Sequence, residues 1–262
     1  MNHPSSGIRI GNDCPGSIPE PPPLVRGPRW GVESAWRTPE DVKMSTVVIQ
    51  EQLRIPSKVS DLRSFRRWAL SDAYPDTGRV AWLKGEVWVD MSPEQLITHN
   101  KVKGRFGNVL DALALEEKLG MYFHDRTLLS NQAADLSTEP DGVFASFEAL
   151  EENRARLVEN QNGPIEMEGS PDMVLEVVSP SSVRKDTVVL PRLYWRAGIP
   201  EFWLVDARGE RPKFDILVRG RSAYTPTPKT GGWVASRVFG HSFRLVAEPN
   251  RLGYPEFTLR VR

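Results

Sequence analysis

The chain has 262 residues, and its 34 lysines and arginines balance its 34 aspartates and glutamates, so the formal net charge is zero. This balance gives no overall field that would attract nucleic acid or an anionic membrane, although it permits a local basic patch. Apolar residues make up 39% of the chain, which is enough for a sizeable core. No apolar run approaches the roughly 18 residues of a membrane span, so we expect no membrane association.

The N-terminal part of the chain predicts neither a folded domain nor a targeting signal. Residues 1–30 contain seven prolines and four glycines, a composition that buries too little apolar surface to offset the entropy of ordering. We therefore expect a disordered extension over residues 1–46 and a single domain over residues 47–262. The N-terminus shows no basic segment followed by an apolar one, and the lone Cys14 fits a reducing compartment, so we expect a cytoplasmic protein.

A helix and a hairpin are predicted at the start of the domain. Residues 60–70 carry apolar side chains at helical spacing, and Ser60 stands at the expected cap position. Residues 80–90 predict two short strands around a tight turn at Lys84 and Gly85.

A long amphipathic helix is predicted next, over residues 94–119, with Gly120 as its terminating residue. Its apolar stripe consists of Val102, Phe106, Val109, Leu110, Leu113 and Leu119. Beyond it, residues 146–157 predict a helix or a polar excursion, and residues 161–164 predict a loop. Strands are expected at residues 121–130, 140–145, 172–178, 201–206, 214–219, 233–238, 243–246 and 257–262.

The clearest unit of the pattern covers residues 171–206. An apolar strand carrying Asp172 and Glu176 precedes a Ser-Pro-Ser turn, a helix with one apolar face, and a second apolar strand that ends at Asp206. With the other elements, this order predicts a mixed α/β (α+β) fold. We expect a central mixed sheet flanked by helices, an N-terminal hairpin and C-terminal strands.

Acidic residues in the predicted strands are the candidate site, because a buried carboxylate is costly without a metal ion or a basic partner. Asp172 and Glu176 share one face of their strand, but a rise of roughly 3.3 Å per residue separates them by about 13 Å. Asp141, which follows Pro140 at the head of another predicted strand, is the better partner for Glu176. Such a pair can chelate Mg²⁺, and Asp172 would be the entry residue of its strand or a supporting acid. For each acid, a turn cap or an ion pair with arginine is the alternative.

The segments 171–181 (PDMVLEVVSPS) and 197–206 (AGIPEFWLVD) resemble the Uma family of candidate restriction endonucleases, which belongs to the PD-(D/E)XK nuclease superfamily. Shorter similarities occur at residues 85–87, at His99 and at residues 140–143, so the resemblance covers most of the predicted domain. It implies a restriction-endonuclease-like sheet flanked by helices and a Mg²⁺-dependent centre that hydrolyses phosphodiester bonds in DNA. By analogy with restriction-like nucleases, the resemblance also implies that the protein forms a homodimer.

Position by position, the resemblance makes Asp141 the metal-binding aspartate and Glu176 the acid of the Glu-x-Lys strand motif. The lysine of that motif is absent, because its place is taken by Val178. The alternative lysine position of the family, four residues after Asp186, is Leu190. The expected cation must therefore come from another residue.

Lys185 is the nearest replacement for this lysine, ahead of Lys101 and Lys103 on the predicted long helix. For each of these three lysines, the simpler interpretation is a solvated surface charge. The missing lysine also favours a second function, a catalytically impaired nuclease fold that binds nucleic acid or a protein partner. Its candidate phosphate contacts would be Arg63, Arg66, Arg67, Arg184 and Lys185.

A third function, a hydrolase that uses His99 or His124, has less support. Neither histidine has a second histidine or cysteine at metal-binding spacing. The chain also contains neither a Gly-x-Ser-x-Gly nucleophile elbow nor a glycine-rich phosphate loop. A structural or supporting role is the simpler interpretation of both histidines.

Overall fold

A computed structural model describes residues 46–49 as backbone and residues 53–262 with their side chains. The helices are α1 (Leu62–Ala69), α2 (Lys101–Glu116), α3 (Phe147–Glu151) and α4 (Leu190–Arg196). The strands are β1 (Thr46–Ile49), β2 (Leu53–Pro56), β3 (Arg79–Leu83), β4 (Glu86–Asp90), β5 (Gly120–His124), β6 (Leu129–Asn131), β7 (Leu136–Thr138), β8 (Gly142–Ser146), β9 (Ala155–Asn160), β10 (Gly163–Gly169), β11 (Met173–Val177), β12 (Glu201–Asp206), β13 (Lys213–Arg219), β14 (Tyr224–Pro226), β15 (Lys229–Thr230), β16 (Trp233–Ala235), β17 (Ser242–Pro249) and β18 (Pro255–Val261).

The described residues belong to one compact unit. Apart from Thr46, the extension predicted over residues 1–46 lies outside the described residues. None of the described helices is both long and apolar enough to cross a membrane.

A six-stranded sheet in the order β14-β13-β12-β11-β8-β5 forms the centre of the fold. Its strands pair antiparallel except for β11 and β12, which run parallel. Parallel neighbours need a crossover connection, and α4 supplies it, preceded by a π-helical turn at Lys185–Val189. The predicted mixed fold with a central sheet and flanking helices is therefore confirmed.

The two faces of this sheet are both apolar, because successive side chains of β11 point to opposite sides. Leu175 and Val177 pack into a core shared with α2 and with the antiparallel sheet β15-β16-β17-β18. Val174 packs into a second core with α4 and with another six-stranded sheet, β4-β3-β7-β6-β10-β9. Residues near the end of β11 are thereby enclosed from both sides, which is why polar groups there need partners.

The first helix is anchored by charge as well as by apolar contacts. Its apolar side packs in a third core with β2 and β3. On its other side Arg66 donates hydrogen bonds of 2.8–3.0 Å to both carboxylates of β10, Glu166 and Glu168. Since the Glu166 side chain is fully buried, this arginine stabilises the fold and is not free to contact phosphates.

Two local predictions about helix ends are wrong. The cap of α1 is Asp61, not Ser60, because the Asp61 side chain accepts a hydrogen bond from the backbone N–H of Ser64 in the first turn of the helix. Gly120 does not terminate α2; the left-handed backbone conformation falls on Lys118, with a φ of 55°. Gly120 opens β5 instead, where an added Cβ would lie 2.2 Å from the carbonyl oxygen of Ala145.

Candidate active site

The acids Asp141 and Glu176 meet where β8 begins and β11 ends. Gly142 pairs with Leu175 in the antiparallel ladder, so the next residues along it, Asp141 and Glu176, lie opposite each other. The Oδ2 atom of Asp141 also accepts a hydrogen bond of 2.8 Å from the backbone N–H of Val177. Only 6% of Asp141 and 2% of Glu176 is exposed. The structure thus brings together the two residues that the sequence proposed as a pair.

Three cationic side chains surround the Asp141 carboxylate. His99 Nε2 lies 3.3 Å from Oδ2, while Lys103 Nζ and Arg79 Nη2 lie 3.7 Å and 4.0 Å from Oδ1. Burial acts to raise the pKa of Asp141, but the hydrogen bond with His99 and the charges of His99, Lys103 and Arg79 outweigh it and lower the pKa. Asp141 is therefore ionised although it is buried.

A second layer of acids holds these cations in place. Glu94 lies 2.9 Å from His99 Nδ1 through Oε1, and the same oxygen contacts the ammonium of Lys103. Asp125, in the loop after β5, accepts a hydrogen bond of 2.8 Å from Lys103. Burial acts to raise the pKa of Glu94, but Lys103 and His99 lower it to about 2. Lys103 is only 7% exposed, whereas Glu94 and Asp125 remain partly open to solvent, so the network joins the buried Asp141 to the surface.

Sequence reasoning did not assemble this network, since its members come from separate elements. His99 lies in a π-helical turn, Leu96–Asn100, that precedes α2, and Lys103 lies on the first turn of α2. The sequence gives one local indication of this network: Lys103 follows His99 by four residues, and Glu94 precedes His99 by five. Arg79 and Asp125 give no such signal, because only the folded chain places them beside Asp141.

Glu176 differs from Asp141 in its surroundings. The Tyr194 hydroxyl on α4 donates a hydrogen bond of 2.5 Å to its Oε1 atom. Burial raises the pKa of Glu176 well above its usual value, the charges of Asp186 and Asp141 add to the rise, and Lys185 offsets part of it. Glu176 therefore releases its proton less readily than a free glutamate.

Lys185 lies in the π-helical turn before α4 and lines a cleft of about 440 Å³ together with Arg79. Its Nζ is 3.5 Å from Oδ1 of the buried Asp186. Burial acts to lower the pKa of Lys185, but the charges of Glu176, Asp186 and Asp141 outweigh it and raise the pKa. Lys185 is accordingly a stable ammonium group beside the two acids.

Comparison with known proteins identifies the family. A family model described as "putative restriction endonuclease" matches residues 62–248, which is well over half of the chain. The chain belongs to the Uma2 family. Among solved structures, the fold is similar to the crystal structure of a "putative nuclease belonging to DUF820" from Anabaena variabilis. The sequence identity is 15%, the TM-score is 0.51, and the match covers 69% of this chain and 90% of the other, so it supports the fold alone. No curated protein sequence matched the chain.

The family and the nuclease-like fold support a nuclease. Val178 and Leu190, which occupy the two lysine positions, are 1% and 0% exposed. Leu190 packs in the core between α4 and the central sheet. Neither position could accept an unpaired ammonium group without repacking. Of the three lysines considered as replacements, Lys103 contacts Asp141 and Lys185 lines the cleft.

Asp172 is not brought to this centre. It precedes β11, at the end of the strand away from Glu176, and one of its oxygens lies 2.7 Å from Arg154 Nη2. The other accepts a hydrogen bond of 2.7 Å from the backbone N–H of Ser146, the cap residue of α3. These contacts tie β11 to α3 and to the loop before β9, as expected of an acid with a structural role.

The structure also locates two other residues that the sequence suggested as candidates, Lys101 and His124. Lys101 is exposed, unlike Lys103. His124 is exposed and its Nε2 lies 3.8 Å from Asp111, while its ring packs edge-on against Tyr122 at 5.2 Å. Neither residue contacts Asp141 or Glu176 in the structure.

The donor set suits a hard cation with partial hydration. Among residues 53–262, no group of three or more His, Cys, Asp or Glu side chains is placed to hold a metal ion. Two carboxylates suffice for Mg²⁺, which prefers oxygen ligands and usually retains several waters. Asp141 supplies an ionised oxygen. A bound cation would favour the ionised form of Glu176, because it would compensate the negative charge that burial disfavours. The residues present therefore fit Mg²⁺.

Proposed function

We propose that this protein is a Mg²⁺-dependent endonuclease that hydrolyses phosphodiester bonds in DNA. The observation that carries the proposal is the juxtaposition of Asp141 and Glu176 at paired strand ends, with Lys185, whose ammonium group interacts electrostatically with both acids, lining a cleft with Arg79. Membership of the Uma2 family supports the same conclusion. In this reaction the oxygen of a water molecule bonds to phosphorus while the bond from phosphorus to one sugar oxygen breaks.

Asp141 and Glu176 would hold the Mg²⁺ ion, which would polarise the phosphate and acidify a bound water. The chain's own groups then have distinct tasks. Tyr194 orients the Glu176 carboxylate by donating to Oε1. The layer of His99, Lys103 and Arg79 keeps Asp141 ionised and fixes its orientation.

Lys185 would stabilise the additional negative charge that develops on the phosphate oxygens. Its raised pKa keeps it protonated near neutral pH, so it acts as a hydrogen-bond donor and not as a general base. This assigns to Lys185 the charge-stabilising part of the role that the family's strand lysine would have. The proton of the attacking water would pass to bulk solvent.

The test is cleavage of supercoiled and linear DNA by purified protein in Mg²⁺, in Mn²⁺ and in excess EDTA. We expect cleavage only with a divalent cation, activity at background level in D141N and E176Q, and a loss on the order of 100-fold in K185M. Lys118→Met is the matched control, because Lys118 follows the far end of α2, about 22 Å along the helix axis from Lys103. Metal-independent cleavage, or full activity in E176Q, would refute the proposal.

A second candidate is a nuclease fold that binds nucleic acid without cutting it. The buried apolar residues at both lysine positions favour this alternative. It predicts binding that weakens steeply with salt and does not depend on Mg²⁺. Equilibrium binding of DNA with and without Mg²⁺, alongside the cleavage assay, separates the two functions.

A further inference from the structure

The cleft beside Lys185 has two chemically different walls. The β3–β4 hairpin contributes apolar side chains that include Trp88 and Met91, and the turn leading into α4 contributes Ser181 and Lys185. The Ser181 hydroxyl donates a hydrogen bond of 2.7 Å to Asp90 at the end of the hairpin. Because this bond joins the walls, the cleft is preformed, and its volume of about 440 Å³ suits a small-molecule-sized group.

One end of the cleft adjoins the candidate catalytic acids. Arg79 lines the cleft and its Nη2 lies 4.0 Å from Asp141 Oδ1. Lys185 lines it too, and its ammonium nitrogen lies 3.5 Å from Oδ1 of Asp186. A group that entered the cleft with an attached phosphate would therefore place that phosphate near two cations and the proposed metal ligands.

Trp88 gives the cleft a planar aromatic surface. The residue is half-buried, and its indole N–H lies 3.2 Å from Glu86 Oε2, which limits rotation of the ring. The guanidinium of Arg184 lies 5.7 Å from the indole centroid. Aromatic faces with adjacent arginines are the surfaces on which proteins stack unpaired bases of single-stranded nucleic acid.

We propose that the cleft receives one unpaired nucleotide whose base stacks on Trp88, so that the preferred substrate is single-stranded or locally unpaired DNA. This inference rests on the proposed nuclease function and adds the substrate class. Bases of an intact duplex are stacked inside the helix and reach such a cleft only after extrusion, which costs unpairing energy.

The test is fluorescence anisotropy with labelled single-stranded and duplex oligonucleotides of one sequence, in Ca²⁺ in place of Mg²⁺, with a gel to confirm intact strands. We expect the single strand to bind about ten-fold more tightly than the duplex. Trp88→Ala should weaken single-strand binding about ten-fold and leave duplex binding unchanged, while W88F should retain most of the affinity. Trp233→Ala is the matched control, because Trp233 also stacks with an arginine, Arg262 at 4.4 Å, but lies on the C-terminal sheet.

Photo-crosslinking of a 5-iododeoxyuridine strand locates the base without requiring any variant to fold. We expect the crosslink in the tryptic peptide of residues 85–101, whose single tryptophan is Trp88. Equal affinity for both DNA forms with a crosslink elsewhere would overturn the inference and leave the nuclease proposal standing. Binding of neither form, together with no metal-dependent cleavage, would overturn both.

Discussion

The Tyr194 hydroxyl donates to Oε1 of Glu176 over 2.5 Å, and this contact connects α4 to the end of β11. Both groups are buried, and burial raises the pKa of each. Tyr194 therefore remains a proton donor, and Glu176 releases its proton less readily than a free glutamate. Burial thus opposes the ionised form of Glu176, and the proposed cation would favour it.

Replacing Glu176 with glutamine should separate metal binding from folding. The glutamine side chain can still accept the Tyr194 hydrogen bond and carries no charge, so we expect metal-free E176Q to unfold at a temperature equal to or above that of the wild type. Saturation with Mg²⁺ should stabilise the wild type, by about 1.4 kcal/mol at ten times Kd, but not E176Q or D141N. Differential scanning calorimetry in EDTA and in Mg²⁺ measures both effects, and an equal Mg²⁺ response in E176Q would contradict the assignment.

Replacing Lys103 with methionine should destabilise the protein by about 3 kcal/mol, because it removes one of the two cations, Lys103 and Arg79, that contact Asp141, Asp125 and Glu94. The matched control is Lys101→Met, two residues away on the exposed side of the same helix, with an expected change within about 0.5 kcal/mol. Urea unfolding at neutral pH gives the two free energies. Similar values for the two variants would show that the ion network adds little to stability.

Asp186 should make stability depend on pH. Burial raises its pKa from 3.8 to about 6, so the folded protein holds this proton more tightly than the unfolded chain. Its contribution is complete below about pH 4 and is lost as the pH rises to about 6, up to about 3 kcal/mol in total. Urea unfolding at intervals from pH 4 to pH 7 should show this decline in the wild type and a smaller one in D186N. The control is replacement of the exposed Asp72 by asparagine. If the decline of stability with pH were the same in D186N as in the wild type, Asp186 would be excluded as the source of that decline.

Asp172 should matter for folding and not for cleavage. Alanine at this position removes the ion pair with Arg154 and the acceptor for the Ser146 N–H, at a cost of about 2 kcal/mol. We expect DNA cleavage per folded molecule to stay within about two-fold of the wild type, in contrast to E176Q. The assay is done at a temperature below the unfolding transition of D172A. A loss of cleavage by the folded variant would show that Asp172 takes part in the active site.

Local patterns in the sequence predicted the elements with strong periodicity. The β3–β4 hairpin, α1, α2 and the β11–α4–β12 unit all occur near their predicted positions. The hairpin of β9 and β10 was missed, since residues 163–169 carry proline, glycine and acids that are atypical of a strand. Those acids are tolerated because Arg66, about a hundred residues earlier, neutralises them from α1.

The sequence alone determined that Asp141 and Glu176 form the candidate pair, since strand geometry separates Asp172 from Glu176 and the resemblance names the same two acids. It also showed that the usual lysine positions are apolar. Only the tertiary structure decided that His99, Lys103 and Arg79 surround Asp141 and that Lys185 borders a cleft with Trp88. The physical reason is that pairing of these charges depends on distances between elements far apart in the chain, whereas strand alternation is local.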